Sequence, residues 1–328
     1  MRQLLTVRDL KTYFILDSQR IVKAVDKVSI DLDEGESLGL AGESGCGKST
    51  LGYSILTCIP APGKIVGGEI IFEGEEITKK PESWLRKHYR WIKVSMVFQG
   101  AMNSLNPVLS IGRQLAEPLI YHQDMSYKEA KKYVIDALRL VGLPEHVADR
   151  YPHELSGGMK QRAVIAMALI LKPKIVIADE PTTALDVVVQ AQIINLLKRL
   201  KEHEKMSLLF ITHDLAVLSE VVDKVAVMYA GKIVEYGSSE HIYLRPKHPY
   251  TQKLIRAVPK LHEKIDRLEF IPGAPPNLIN PPPGCRFHPR CQVFKENSSF
   301  KGLCDVEEPP LVEVEPMHKV ACWLYARR

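Results

Sequence analysis

Residues 42–49 read Gly42-Glu43-Ser44-Gly45-Cys46-Gly47-Lys48-Ser49, the spacing G-x-x-x-x-G-K-S. No other feature constrains the fold as tightly. The apolar run Ser37-Leu38-Gly39-Leu40-Ala41 stands before it, and a helix-compatible stretch over 50–56 follows. The chain must therefore present a strand, a glycine turn and a helix in that order. Such a turn lets backbone N–H groups point inward at phosphate oxygens, and the helix N-terminus adds partial positive charge. The candidate contacts are Gly42, Ser44, Gly45, Cys46, Gly47, Lys48, Ser49 and Thr50. Lys48 is placed to reach the β- and γ-phosphates of a nucleotide, and Ser49 to ligate Mg²⁺. The bland alternative is a glycine-rich turn without a ligand, against which the strand before and the helix after both weigh.

Around this loop the hydrophobic pattern alternates between strand and helix periods. Residues 4–40 read as short strands joined by turns, and 69–75 as a strand entering a glycine turn. Residues 81–155 read as mostly helical. Within them Ala130, Val134, Ala137, Leu138 and Val141 recur at helical spacing and stop at Gly142, with Pro144 behind. A helix over about 157–171, a strand at 174–179, a helix over 188–204 and strands at 207–212 and 224–229 follow. That alternation predicts an α/β fold with a largely parallel sheet. The strand at 174–179 ends in Asp179 and Glu180, two acids at the C-terminal end, where open α/β sheets bind ligands. Asp179 is the candidate metal-holding acid, and Glu180 the candidate group for polarising an attacking water. Ser156, Gly157 and Gly158 open the preceding helix as a cap with bare N–H groups.

These motifs together resemble the nucleotide-binding subunit of ABC transporters over residues 1 to about 245. Leu155-Ser156-Gly157-Gly158-Met159-Lys160-Gln161-Arg162 resembles the family signature, with Met159 where Gln is commoner. Gln99 resembles the Q-loop glutamine, Ala184-Leu185-Asp186 the D-loop, and His213 the switch histidine. Phe14, or Tyr13 beside it, resembles the aromatic residue that stacks on adenine. The resemblance implies a P-loop NTPase of ABC type, with an antiparallel β subdomain and a helical subdomain at about 87–160. It implies ATP and Mg²⁺, the latter held by Ser49, Gln99 and Asp179. Glu180 and His213 would be catalytic. ATP would lie between the phosphate loop of one subunit and Ser156, Gly157 and Gly158 of a second, paralogue or self, in a head-to-tail dimer. Transmembrane permease subunits and, indirectly, an extracytoplasmic substrate-binding protein complete the implied partners, with no nucleic acid. The implied place is the cytoplasmic face of the membrane, held peripherally. Composition agrees: apolar residues are 45%, the net charge is a mild +5, no run of 18 apolar residues exists, and the N-terminal stretch does not read as a secretory signal.

Asn103-Ser104-Leu105-Asn106-Pro107, His248-Pro249-Tyr250-Thr251 and the stretch from Pro272 to Cys291 resemble the dipeptide/oligopeptide importer branch. That branch also holds subunits for nickel, glutathione and oligosaccharides. A soluble ABC ATPase outside transport is the rival, but no coiled-coil insertion and no second phosphate loop are present. Composition shifts after about 245. Residues 272–283 hold six prolines, so 246–328 is expected to be a C-terminal extension with a Pro-rich linker. Four of the six cysteines, Cys285, Cys291, Cys304 and Cys322, fall in the last 44 residues. A metal would hold together a tail with little hydrophobic periodicity. Their wide spacing lacks the C-x₂₋₄-C knuckles of zinc sites and favours a [4Fe–4S] cluster. Zinc, with His288 replacing one cysteine, is the alternative, and scattered structural thiols the bland reading.

Overall fold

The computed structural model describes residues 2–257 and 271–326. The extension expected over 246–328 thus includes 258–270 and 327–328, which lie outside the described residues. The elements are β1 Gln3–Ile15, β2 Ile21–Asp33, β3 Ser37–Ala41, α1 Lys48–Ile55, β4 Gly63–Phe72, β5 Glu75–Glu76, α2 Glu82–Trp84, β6 Val94–Val97, α3 Ile111–Gln123, α4 Tyr127–Leu140, α5 Gly157–Leu169, β7 Ile175–Asp179, α6 Val187–Glu204 and β8 Ser207–Ile211. They continue with α7 Leu215–Val221, β9 Lys224–Tyr229, β10 Lys232–Ser238, α8 Ser239–Leu244, α9 Pro249–Arg256, α10 Gln292–Glu296, β11 Val312–Glu315 and β12 His318–Val320. They form two compact units, neither contiguous in sequence.

The first unit is centred on residues 79–210. Its strands lie in the order β8, β7, β6, and β6 runs parallel to β7 with Val94 opposite Ile175 and Val97 opposite Ala178. Every residue of these strands is buried, as a parallel sheet covered on both faces requires. Strand β6 interrupts the stretch read from sequence as mostly helical. Its four residues are too few to register a period. Helices α3, α4 and α5 pack against one another. Helix α4 buries Ala130, Val134, Ala137 and Leu138 on one face and starts with a reciprocal cap between Ser126 and Glu129.

The second unit comprises, of the described residues, 3–32, 37–78, 211–257 and 271–326. One sheet has the order β2, β1, β4, β5, with β1 antiparallel to β4 from Leu5 opposite Phe72 to Phe14 opposite Gly63. Strands β1 and β2 have 13 residues each, longer than the short runs expected. Within β1, Asp9 at φ +43° marks an irregularity in the pairing with β4. There Gly68, at φ +79°, lets the chains approach so closely that a Cβ would lie 2.4 Å from Asp9 O. The other sheet of this unit has the order β3, β9, β10, β12, β11, with β3 parallel to β9. The tail adds β12 to β10, pairing Val320 with Glu235, and β11 to β12. It also buries Phe287, Phe300 and Val320. The tail, read from its sequence as having little hydrophobic periodicity, thus buries apolar side chains and pairs strands.

Candidate functional site

Strand β3 is wholly buried and delivers the chain into the glycine turn. Two glycines there are irreplaceable on geometry. A Cβ on Gly42 (φ +148°) would fall 2.1 Å from Met228 O, and one on Gly47 (φ +108°) 2.0 Å from Ala24 O. Ser44 and Gly45 form the exposed tip. Lys48 opens α1, is almost fully buried, and donates from Nζ to Gly42 O at 2.6 Å and Glu43 O at 3.1 Å. Helix α1 has no acidic residue in its first turn and no side-chain cap, which leaves the positive end of its dipole uncompensated by a first-turn acid. Cys46 is buried, which pushes its thiol up. Thr212 N donates to Leu40 O at 3.2 Å, which sets exposed His213 just past the end of β3. At the end of β1, Tyr13 is committed: its hydroxyl donates to Asp26 Oδ1 at 2.8 Å, and burial and that carboxylate push its pKa up. Phe14 packs over Gly63, where a Cβ would lie 2.9 Å from its ring. Of the two aromatic candidates it is the one without a hydroxyl engaged elsewhere.

In the first unit, β7 ends at fully buried Asp179, and Glu180 follows in the left-handed region at φ +45°. The parallel pairing of β6 with β7 brings Gln99 to Glu180 across 81 positions of sequence. Gln99 Nε2 donates to Glu180 Oε2 at 2.9 Å, and Thr183 Oγ1 donates to the same oxygen at 3.1 Å. Ala184 is also left-handed, at φ +65°, and Asp186 caps α6 by accepting from Val189 N at 2.9 Å. Ser156 caps α5, accepting from Met159 N at 3.4 Å. The two signature glycines differ. A Cβ on Gly158 would lie 2.7 Å from Val189 Cγ1, whereas one on Gly157 meets nothing closer than 3.5 Å. Past Gln99, the buried Gln114 accepts from Asn106 N and donates to Asn106 O and Leu109 O, pinning the segment. Sequence reasoning missed Gln114, since nothing marks a helical glutamine as buried.

Strand β10 and the extension hold further polar groups, of which the sequence reading did not single out Glu235, Arg286, Arg290 or His318. Fully buried Glu235 accepts from Lys247 N at 2.7 Å and His248 N at 2.9 Å, and its Oε1 lies 2.7 Å from His318 Nε2. Burial lowers His248 to about 4 against the opposing charge of Glu235. Its Nδ1 accepts from Tyr250 N, so the neutral ring carries its proton on Nε2. Tyr250 Oη in turn accepts from Glu43 N at 2.9 Å. Arg286 binds Asp26 and Ala230 O. Arg290 donates to both oxygens of Glu43, at 2.7 and 3.0 Å, and to the carbonyls of Ile271, Pro272 and Gly273. Cys285, Cys291, Cys304 and Cys322 line one pocket with His248, His288, Phe294 and Phe300. Burial, and then the neighbouring cysteines, push Cys285 and Cys322 up to about 12. His288 Nδ1 lies 2.9 Å from Cys285 O. Among the described residues, His241, Glu315 and His318 bring donor atoms within 4.8 Å of one another. Lys247 at 2.7 Å and Arg245 at 3.5 Å already neutralise Glu315 in that trio.

Residues 25–183 match the family described as ABC transporter, and 234–297 that described as oligopeptide/dipeptide transporter, C-terminal region. The chain is 44% identical to the oligopeptide transport ATP-binding protein AppD of Bacillus subtilis, over 99% of this chain and 98% of that protein. It is likewise 44% identical to OppD of Escherichia coli, over 98% of this chain and 93% of that protein. Among solved structures, a dimeric post-hydrolysis state of the ATP-binding cassette MJ0796 bound to ADP and Pi superposes with a TM-score of 0.64 at 29% identity, covering 72% of this chain and 99% of that one.

Proposed function

Because this chain belongs to the ATP-binding subunits of ABC transporters, and is thus an ATPase of that family, we propose that it powers the import of dipeptides or oligopeptides. The observation that carries the cargo class is the match of 234–297 to the peptide-transporter C-terminal region, beside full-length similarity to peptide transport proteins. In this reading Lys48 and the N–H groups of the glycine turn hold the phosphates. Glu180 polarises the attacking water, and the hydrogen bond from Gln99 orients its carboxylate. His213 contacts the γ-phosphate, and Phe14 stacks on the base. Ser49, Asp179 and Gln99 supply oxygen donors of the kind Mg²⁺ takes. Catalysis is placement and charge stabilisation rather than covalent chemistry. Ser156, Gly157 and Gly158 serve the nucleotide of a second cassette subunit, as the dimeric relatives suggest.

The membrane partners would be permease subunits, and behind them an extracytoplasmic receptor. No helix among the described residues is long and apolar enough to cross a membrane. Val108, past Gln99, and Tyr121, on α3, are exposed side chains of the helical region that such a permease could meet. We keep the division into a cassette over 1–245 and an extension over 246–328 as part of the reading. The test of the cargo class is reconstitution with the permease subunits that co-purify with the protein. ATPase activity should rise with a peptide-loaded receptor. A rise with a nickel-loaded receptor and none with peptide would sink the cargo assignment.

We read the four tail cysteines as ligands of a [4Fe–4S] cluster on their sequence spacing, which lacks the paired knuckles of zinc sites, and on their lining one pocket. When bound, the cluster would supply a four-point cross-link among segments of the tail. Cys285, Cys291 and Cys322, whose thiols burial pushes up, would have to release protons to ligate it. Protein purified without oxygen should be brown, with about four irons per chain. Cys322→Ser should bleach it, while one zinc per colourless chain would overturn the iron–sulfur assignment.

A further inference from the structure

The glycine turn is an anion site, yet its second residue is an acid. Glu43 sits between Gly42, whose carbonyl Lys48 binds, and the exposed tip at Ser44 and Gly45. A bare carboxylate there would oppose the phosphates that the turn attracts. It is not bare. Arg290, 247 positions away and 6% exposed, grips both of its oxygens with both Nη atoms. Arg290 is itself over-determined. Nε binds Pro272 O at 2.8 Å, Nη2 binds Gly273 O at 3.1 Å, and the guanidinium lies over the Tyr229 ring at 5.8 Å. Tyr250 holds the backbone N–H of the same glutamate. Side chains of the extension thus fix Glu43 at both its amide and its carboxylate.

We infer that Arg290 is a positioning residue for nucleotide binding: its two-pronged grip cancels the charge of Glu43 and fixes the entry to the phosphate turn. The extension is then part of the phosphate-binding machinery. The inference depends neither on peptide as cargo nor on a metal among the cysteines. A mere tether between tail and cassette would use the same contacts, but it would not make the charge of Glu43 matter to a phosphate ligand.

The test is equilibrium binding of Mg·ADP, which needs no turnover, to the full-length protein and to Arg290→Ala, Glu43→Gln and the double variant, with thermal melts alongside. Arg290→Ala should weaken ADP binding about tenfold, the effect of one unscreened charge near the phosphates. That defect should shrink in about 0.5 M salt, where the screening length falls to a few ångströms. Glu43→Gln alone should bind ADP at least as well as the parent, and the double variant should recover to within about twofold of it. Arg290→Ala binding ADP as the parent does, or a double variant as weak as Arg290→Ala, overturns the inference. Should Arg290→Ala fail to fold, Arg290→Lys takes its place, keeping the charge without the fork. About threefold weaker ADP binding, abolished by adding Glu43→Gln, is then expected. Unchanged ADP affinity in Arg290→Lys would count against the fork.

Discussion

At Glu180 the backbone is left-handed and the carboxylate is held by two donors, Gln99 and Thr183. Glu180→Gln removes the charge and keeps the shape. ATP binding should persist while hydrolysis falls by about 10²- to 10⁴-fold, the usual worth of a general base. A single-turnover assay at wild-type rate would refute the role. Lys48→Ala should act the other way, weakening nucleotide affinity before chemistry begins. The signature glycines give a sharper residue-scale test. Gly158→Ala collides with Val189 and should cost about 1–2 kcal/mol, whereas Gly157→Ala has room and should stay within about 0.5 kcal/mol. Denaturant midpoints would separate them. In the sequence the two glycines look alike, because the difference lies in how α6 approaches and not in any local pattern.

Among the elements, those with a strong local signal were legible. The apolar run before Asp179 is β7, and the 3.6-residue spacing after 126 is α4. Its cap was not singled out, although the Ser126 and Glu129 pair carries the pattern of one. Ser126→Ala should lower stability by about 1 kcal/mol, and a melt unchanged within error would show that α4 draws its stability from packing alone. What stayed hidden depends on partners far away in sequence. The alternation Val312, Val314 is too brief to announce β11, and β12 exists only because β10 offers an edge. The union of Gln99 with Glu180 was likewise invisible as a contact, although each was recognisable by motif.

The whole molecule relies on carboxylates of the cassette that side chains of the tail satisfy. Asp26 is desolvated, yet the Tyr13 hydroxyl, Lys232 and Arg286 outweigh that and hold its pKa below the usual range. Its folded pKa is depressed, so its contribution is fully present above about pH 4 and is lost as pH falls through the folded value. Asp26→Asn strands buried Arg286 and should cost about 3 kcal/mol near neutrality. The gap to the parent should close below about pH 4, as acid titrations followed by circular dichroism would reveal. A gap that stays constant down to the acid limit would mean that Asp26 gains nothing from its charge.

Glu235, Asp26 and Glu43 are each answered from beyond residue 246: by His248 and His318, by Arg286 and by Arg290. The consequence concerns heredity and engineering. Residue 245 looks in sequence like a seam, but it is a poor crossover point. A chimera that takes its cassette from one parent and its tail from another inherits three acids without their guaranteed answers. Successful exchanges, in the laboratory or in lineages, should carry these residues across together, as one linked set rather than two interchangeable cartridges.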